Sequence, residues 1–471
     1  MHCFPTASPE SMGISSDRLL SMMKKLAELE YLNSIIILRH GKSVLECWLS
    51  PYKRETPHQL YSLSKSFTSC AIGIAQAEGR LNISDKLVSF FPEYTDCITD
   101  KRMFDVTLED LLTMRSGHLE SATKYMFGEQ DWIKAFLASP LDTDPGTCFT
   151  YNSGATYMLS AVIRKVTNEN VREYLLPRLF EPLKIVPGIW ESCPCGINFG
   201  GWGLYLTTDD IAKFSQLLLQ HGRWNGQQLI PADYLAEATI KHADNSKNIL
   251  SDWKQGYGYQ FWISQHGYRG DGASGQYVIV IEEKDLCIAV TSCLSDMQRV
   301  LTIFWEELIP HLKDEALAEN QASFEQLQQY LADLKIPPRQ STIDGKPINE
   351  SFSFKENAAG ISQCEIAFGE KNCTLTFTTS RGKEQLRAGF GHFEYSIFQL
   401  TDTMAHPVAA SACWVNEHKL EIHSLICDGI FRDIWSIDFS DIVEPLKNQM
   451  FCSCFRPGKP EFILSSAKML K

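Results

Sequence analysis

Polar and apolar positions alternate along this chain with several distinct periods, and each period predicts an element. Ser16-Asp17-Arg18-Leu19-Leu20 puts a polar cap ahead of apolar residues at helical spacing, which predicts an amphipathic helix. Asn33 to His40 contains the aliphatic run Ile35-Ile36-Ile37-Leu38, a buried strand that turns at Gly41-Lys42 and returns over Ser43 to Leu49. Ser64 to Glu78 is small or apolar at Phe67, Cys70, Ala71, Ile74 and Ala75, which predicts a buried helix stopped by Gly79. Leu81 to Phe91 reads as a loop and short helix. Thr107 to Leu112 reads as a capped helix that ends near Ser116-Gly117-His118. Gly154 to Val166 is a second apolar helix, and Ile211 to His221 a third, capped by Thr208-Asp209-Asp210 and followed by Gly222. Gln276 to Val280 and Cys287 to Ser292 flank the charged turn Glu282-Glu283-Lys284-Asp285 and read as paired strands. Val300 to Leu312 is a closing helix. A helix-rich middle between early and late strands predicts a sheet flanked by helices, with a helical lobe.

The pattern changes after residue 315. Glu319 to Leu334 is a polar helix, and Lys335-Ile336-Pro337-Pro338-Arg339 breaks it. Short alternating segments follow: Cys373 to Thr379, His392 to Leu400, Ala412 to Val415, Leu420 to Leu425 and Ile430 to Phe439. The expected division is therefore 1–315, a helical linker at 316–340, and a β-rich domain at 341–471. A chain of 471 residues is long enough for this, and it contains no internal repeat.

Composition narrows the classes. The net charge of -13 argues against non-specific nucleic-acid binding, which needs excess Lys and Arg. The start, Met-His-Cys-Phe-Pro-Thr-Ala-Ser-Pro, lacks a basic segment followed by an apolar one, and no run is long enough for a membrane span. A cytoplasmic location is expected. The fifteen cysteines are scattered without framework spacing and read as reduced, mostly buried thiols. Cys193-Pro-Cys195 and Cys452-Ser-Cys454 lack the two-residue gap of common zinc and redox sites, so no metal site is expected.

Candidate chemistry concentrates in Tyr61-Ser62-Leu63-Ser64-Lys65-Ser66-Phe67-Thr68. At a helix start, Ser62 and Lys65 fall on one face, about one turn apart. A serine hydroxyl needs a group to take its proton, and an amine in a tight cleft has its charged form disfavoured. The helix start adds positive partial charge where an oxyanion would form. Ser-x-x-Lys alone is weak: Ser21-Met22-Met23-Lys24 matches it within the first amphipathic helix. What sets Lys65 apart is its place at the mouth of a buried helix.

Leu60 to Ser69 resembles the Ser-x-x-Lys segment of class C β-lactamases and their relatives: penicillin-binding carboxypeptidases, D-aminopeptidases and family VIII esterases. Further stretches are similar to that family in order and spacing: Leu111 to His118, Pro145-Gly146-Thr147-Cys148-Phe149-Thr150-Tyr151, and Gly203 to Asp210. The resemblance covers residues 8–312. It implies a β-lactamase/transpeptidase-like α/β (α+β) fold: an antiparallel sheet flanked by helices, an α lobe, and here an added carboxy-terminal β-rich domain. It implies that Ser62 is acylated and that Tyr151 moves the proton, a role that requires nearby cations, Lys65 foremost, to lower the phenol's proton affinity. The family's Tyr-x-Asn reads Tyr151-Asn152-Ser153, so Asn152 or Ser153 would bind substrate. The family's third motif, Lys-Thr-Gly or His-x-Gly on an edge strand, falls on Gly270-Asp271-Gly272, preceded by Arg269. These four residues are the remaining substrate-binding candidates, with Arg269 a possible replacement for the missing cation. The backbone N–H groups of Ser62 and Ala273 would form the oxyanion hole.

The stretch Cys193 to Trp202, with Trp190, is expected to wall the cleft. His118 and Trp132 are placed in the helical lobe, His118 as a structural group. Gly-x-Ser-x-Gly and His-Glu-x-x-His are absent. The expected activity is hydrolysis of a small ester or amide through a Ser62 acyl-enzyme, without metal or organic cofactor and without nucleic-acid or membrane partners. Oligomeric state is left open. The alternatives are a D-aminopeptidase or carboxypeptidase-type enzyme, or an inactive penicillin-binding-like scaffold.

Overall fold

The computed structural model describes residues 4–29, 31–347, 349–354, 360–399, 404–439, 449–455 and 462–468. Cys3 and Leu400 lie outside the described residues. The chain divides into two compact units, one of Met1–Trp48 with Arg54–Leu334, the other of Leu49–Lys53 with Lys335–Lys471.

In the first unit, six strands form one antiparallel sheet: β1 (Leu32–Arg39), β2 (Lys42–Trp48), β3 (Trp262–Ile263), β4 (Tyr268–Gly272), β5 (Gln276–Ile281) and β6 (Leu286–Ser292), in the order β2-β1-β6-β5-β4-β3. β1 and β6 are buried along their whole length, so Ile35 to Leu38 show no polar alternation. Such a run needs cover on both faces. One cover is a helix, Thr208–Leu219, whose Thr207–Asp210 capping box starts it and whose Ile211, Phe214, Leu217 and Leu218 are buried. It packs on β1, β5 and β6.

Four further helices complete the frame: α1 (Ser16–Ala27), α2 (Ser64–Ala77), α3 (Ser153–Thr167) and, after the strands, α4 (Met297–Ile303). The apolar stripe Leu19, Met22, Met23 and Leu26 of α1 is buried. It faces the α4 segment and the helix Gln321–Asp333, which is therefore part of the first unit rather than a free linker. The closing helix is shorter than the expected Val300 to Leu312. After Ile303 it passes through a wider turn at Phe304–Leu308 and a tighter one at Ile309–His311, where Pro310 has no N–H to give. α2 is buried from Ser64 to Ala75 and packs on α3, and its Phe67 stacks on Phe214 with ring centroids 3.9 Å apart.

The second unit is one sheet of ten strands, from Glu350–Phe354 to Phe462–Lys468. Sequential strands pair antiparallel except Gly382–Gly389 and Glu394–Phe398, Glu350–Phe354 pairs with Phe462–Lys468, and a parallel bridge joins Gly389 to Ser411. Leu420 and Ile422, Cys364 and Ile366, Leu375 and Phe377, and Trp435 and Ile437 alternate inward to make its core. Cys452-Ser-Cys454 lies within the strand Gln449–Phe455. No helix among the described residues is long and apolar enough to cross a membrane.

Candidate active site

The site begins at a strained residue. Tyr61 has φ of 49°, in the left-handed region that costs a side chain energy. It opens a single 3-10 turn, Tyr61–Leu63, that runs straight into α2. Ser62 is thereby presented at the helix mouth, partly exposed, while Lys65 one turn on is 1% exposed. Lys65 Nζ lies 3.0 Å from Ser62 Oγ and 3.0 Å from Ser153 Oγ, and donates to the Gly201 carbonyl at 2.7 Å. Burial pushes the Lys65 amine down to about 7, against the opposing pull of Asp271. Near neutral pH a large share of Lys65 is therefore an unprotonated amine within reach of the Ser62 hydroxyl.

Tyr151 joins the same cluster. Its ring lies under Lys65 Nζ at 4.8 Å and stacks on Trp262 at 5.3 Å. Burial, then Asp271, push the Tyr151 phenol well above its ordinary value, against the pull of Arg269. Lys65, the cation expected to lower it, has its own charged form disfavoured by burial.

The two residues after Tyr151 divide. Ser153 Oγ accepts from Lys65. Asn152, expected as a substrate contact, is fully buried and spent on structure. Its Oδ1 caps α3 at the N–H groups of Gly154 and Ala155 and accepts from Ala122 N–H at 2.9 Å, while its Nδ2 donates to Ser116 Oγ. An Asn at this position satisfies orphan helix donors, and of the two alternatives it is Ser153 that meets Lys65.

The third stretch forms β4, which the two-residue β3 separates from the sheet edge. Gly270 and Gly272 face the nucleophile segment at close range. A Cβ on Gly270 would sit 2.5 Å from Leu63 Cδ1 and 2.6 Å from Ser66 Oγ, and one on Gly272 would sit 2.0 Å from the Leu60 carbonyl oxygen. Both glycines serve backbone approach rather than substrate contact. Their approach sets the exposed Ala273, at the tip of the Gly272–Gln276 hairpin, beside the Ser62 turn. Arg269 and Asp271 occupy the alternate positions and pair with each other, Nε to Oδ2 at 3.1 Å. Arg269 is 0% exposed, donates to Ser264 Oγ at 2.8 Å, and lies over the Trp253 ring at 4.5 Å. Its guanidinium is thus enclosed and paired, on the side of β4 away from the one Gly270 and Gly272 turn to the nucleophile segment.

Two features escaped the sequence reading. The Gly201 carbonyl, from the Gly-rich stretch named only as a cleft wall, holds the Lys65 amine. Trp262 backs Tyr151, though no motif marks it. Trp202 stacks on Phe199 at 4.5 Å, and Phe199 on Trp132 at 5.1 Å, so the expected wall is aromatic. His118 is bracketed by Ser116 Oγ and Ser139 Oγ, and burial lowers it to about 4, a neutral structural imidazole. Among the described residues, Cys413, Glu421 and His423 bring metal-type ligand atoms within 4.8 Å in the second unit. There the Glu421 carboxylate is already engaged by Lys419 and His423.

The family model described as Beta-lactamase matches residues 33–300, more than half of the 471-residue chain. The chain belongs to the beta-lactamase family. Among curated relatives it is 26% identical over 178 residues to Protein flp of Staphylococcus aureus (strain MW2), a match of 32% of this chain and 33% of that one. It is 23% identical over 249 residues to the Beta-lactamase of Escherichia coli (strain K12), covering 45% of this chain and 63% of that one. The chain thus matches from a third to less than two thirds of these relatives' lengths. Among solved structures, a family VIII carboxylesterase superposes with a TM-score of 0.50 at 16% identity, over 64% of this chain and 99% of the other. The octameric penicillin-binding protein homologue of Pyrococcus abyssi superposes with a TM-score of 0.50 at 17% identity, over 92% and 97%. These likenesses show a beta-lactamase fold.

Proposed function

We propose that this member of the family is a serine hydrolase that cleaves a small ester or amide through a Ser62 acyl-enzyme. The observation that carries the reading is the buried Lys65 amine 3.0 Å from Ser62 Oγ, held near neutrality by burial. The unprotonated amine takes the Ser62 proton as Oγ attacks the substrate carbonyl. The carbonyl oxygen, now negative, is met by the N–H groups of Ser62 and Ala273. Tyr151, protonated, donates a proton to the departing oxygen or nitrogen as the tetrahedral intermediate collapses, and the protonated Lys65 then gives the proton it took from Ser62 to the Tyr151 phenolate, so both groups return to their starting state. Water then attacks the acyl ester, Lys65 takes its proton, and that proton passes to Ser62 Oγ as the acid departs. A cytoplasmic ester or amide is favoured over a cell-wall peptide or a β-lactam, because no free cation stands in the third stretch to bind a carboxylate. The test is labelling with a fluorophosphonate followed by peptide mass analysis. Modification of Ser62 supports the reading; an unlabelled, folded protein defeats it and favours an inactive scaffold.

A further inference from the structure

The second unit gathers three metal-type ligands that no spacing along the chain announces. The strands His406–Asn416 and Lys419–Ile426 pair antiparallel, with Cys413 opposite Glu421 and Ser411 opposite His423. Alternation sends Ala412, Trp414, Leu420 and Ile422 into the core, so Cys413, Glu421 and His423 share the other face. There Cys413 Sγ, a carboxylate oxygen of Glu421 and a ring nitrogen of His423 all lie within 4.8 Å of one another. His423 Nε2 and Glu421 Oε2 are 3.2 Å apart. Ligand atoms of a tetrahedral zinc ion, each bound at about 2.0–2.3 Å, stand about 3.3–3.8 Å from one another. Small adjustments of side-chain torsion therefore suffice to close the three on one ion. The Glu421 carboxylate is divided between two duties. Its Oε1 takes Lys419 Nζ at 3.3 Å and the Ser436 hydroxyl, from the next strand, at 3.4 Å. That leaves Oε2 turned to His423. None of the three side chains is fully exposed: Glu421 is 24% and His423 17% accessible, and Cys413 is partly buried.

We propose that Cys413, Glu421 and His423 form a binding site for a zinc-type divalent cation, with a fourth position open to water or an outside ligand. The donor set selects the ion. A thiolate and an imidazole suit zinc and its softer neighbours, whereas Mg²⁺ and Ca²⁺ take six or more ligands, nearly all oxygen. Three protein ligands of mixed type, rather than four, are the pattern of a zinc site that keeps a position free. The thiolate and the carboxylate carry two negative charges, which the two positive charges of the ion balance. On binding, the Cys413 thiol loses its proton to solvent. The imidazole binds through Nε2, the nitrogen that already faces Glu421, and keeps its one proton on Nδ1. Glu421 Oε2 exchanges its His423 partner for the metal. Lys419 and Ser436 remain on Oε1 and hold the carboxylate in orientation, as outer partners of metal ligands do. Two cations face the cluster, Lys419 and Arg339, whose backbone N–H donates to Ser411 Oγ opposite His423. Arg339 favours the Cys413 thiolate, which is the form that binds.

The test is a Zn²⁺ titration of the full chain, stripped with a chelator and kept reduced, in competition with a chromophoric zinc indicator. A single equivalent should bind with sub-micromolar affinity and resist excess Mg²⁺. Loss of an outer partner of a ligand costs about 10–100-fold in affinity, so Cys413→Ser and His423→Ala, which remove ligands, should each weaken binding by more than about a hundredfold. The chain has fifteen cysteines, and Cys195→Ser, which removes an exposed one, controls for binding by thiols at large. It should leave the affinity unchanged. Absence of a stoichiometric site, or a site that survives Cys413→Ser and His423→Ala, or one that is lost in Cys195→Ser, overturns the proposal. Should the ligand variants not fold, X-ray absorption at the zinc edge decides on the wild type. A shell of one sulfur with nitrogen and oxygen, at about 2.0–2.3 Å, supports the site. A shell of sulfur alone, or one without sulfur, overturns it.

Discussion

Of the several Ser-x-x-Lys tetrapeptides in this chain, two that lie on helices behave differently. Ser21 to Lys24 lies inside α1, where Ser21 Oγ donates to Glu307 and the exposed Lys24 rests over the Tyr330 ring at 5.9 Å. Ser62 to Lys65 straddles the entry to α2, and Lys65 likewise rests over a tyrosine ring, that of Tyr151, at 4.8 Å. Helical spacing and an aromatic neighbour are common to both. The differences are enclosure and place. Lys24 stays exposed to water, whereas Lys65 has exchanged water for two hydroxyls and a carbonyl, and burial has made its charge costly. Ser21 is mid-helix with its backbone N–H committed, while Ser62 sits in the first turn, where N–H groups point outward. The lesson is that burial at a helix entry, rather than the tetrapeptide, makes a nucleophile.

The hardest way to break this contrast is to exchange the serines for alanine. Ser62→Ala should lower kcat/KM for p-nitrophenyl butyrate by about four powers of ten or more with thermal unfolding unchanged. Ser21→Ala should leave the rate intact. A Ser62→Ala enzyme with wild-type turnover would place the chemistry elsewhere.

The lysines come next. Lys65→Met removes the base and should cost about 10³-fold in kcat, within the usual range for such a group, and Lys24→Met should cost nothing measurable. The wild-type profile carries the sign. The base must be unprotonated, so kcat/KM should climb with pH through about 7, where burial has set the Lys65 amine. An acid limb above pH 9 would mean that burial does not lower the Lys65 amine.

Enclosure also filters substrates. A β-lactam presents a carboxylate, and the cation nearest the third stretch is Arg269, fully buried and committed to Asp271. A charge-assisted hydrogen bond is worth about 1.5–3 kcal/mol, so its absence should leave nitrocefin about one to two powers of ten below p-nitrophenyl butyrate in kcat/KM. Comparable efficiency would show that another group binds the carboxylate. Gly270→Lys cannot restore the missing cation cleanly, because its Cβ alone would meet Leu63 Cδ1 at 2.5 Å.

Much of this was legible in the sequence because burial leaves a mark there. The unbroken aliphatic run of β1 and the small-residue helix α2 announce elements covered on every side. The β-rich second unit was legible where one face is apolar, as at Leu420 and Ile422, and illegible where it is not. Gly382–Gly389 is a strand whose buried side chains are only Leu386 and Ala388 among charged and amide neighbours. In the site, side chains tied to a spacing were readable: Ser62 and Lys65 from one stretch and Tyr151 from another come together. Contacts made by backbone were not. Any residue has a carbonyl, so nothing in the letters marks Gly201 as the acceptor of Lys65. Direction along a strand was also hidden. Arg269 and Asp271 share a face, and only the fold shows that this face is interior.

The smallest effects come from the neighbours Asn152 and Ser153, and they sharpen the contrast most finely, because adjacent polar side chains have opposite duties. Asn152 holds Ala122, Gly154, Ala155 and Ser116 together from a fully buried position. Replacing it with alanine removes a helix cap and strands buried donors, at a cost of about 2 kcal/mol and a few degrees in Tm. The nucleophile does not depend on those bonds, so kcat/KM measured well below Tm should stay within about threefold of wild type. Ser153 holds nothing but Lys65 in this network. Ser153→Ala should leave Tm within about a degree, since one hydroxyl at the rim of the site contributes little to stability. The amine, however, loses one of the three partners that aim it at Ser62, and a misaimed base should cost about tenfold in kcat. A paired measurement of Tm and kcat on the two variants therefore yields a crossed pattern. If Asn152→Ala loses activity at full stability while Ser153→Ala loses stability at full activity, the enclosure of Lys65 described here is assigned to the wrong residue.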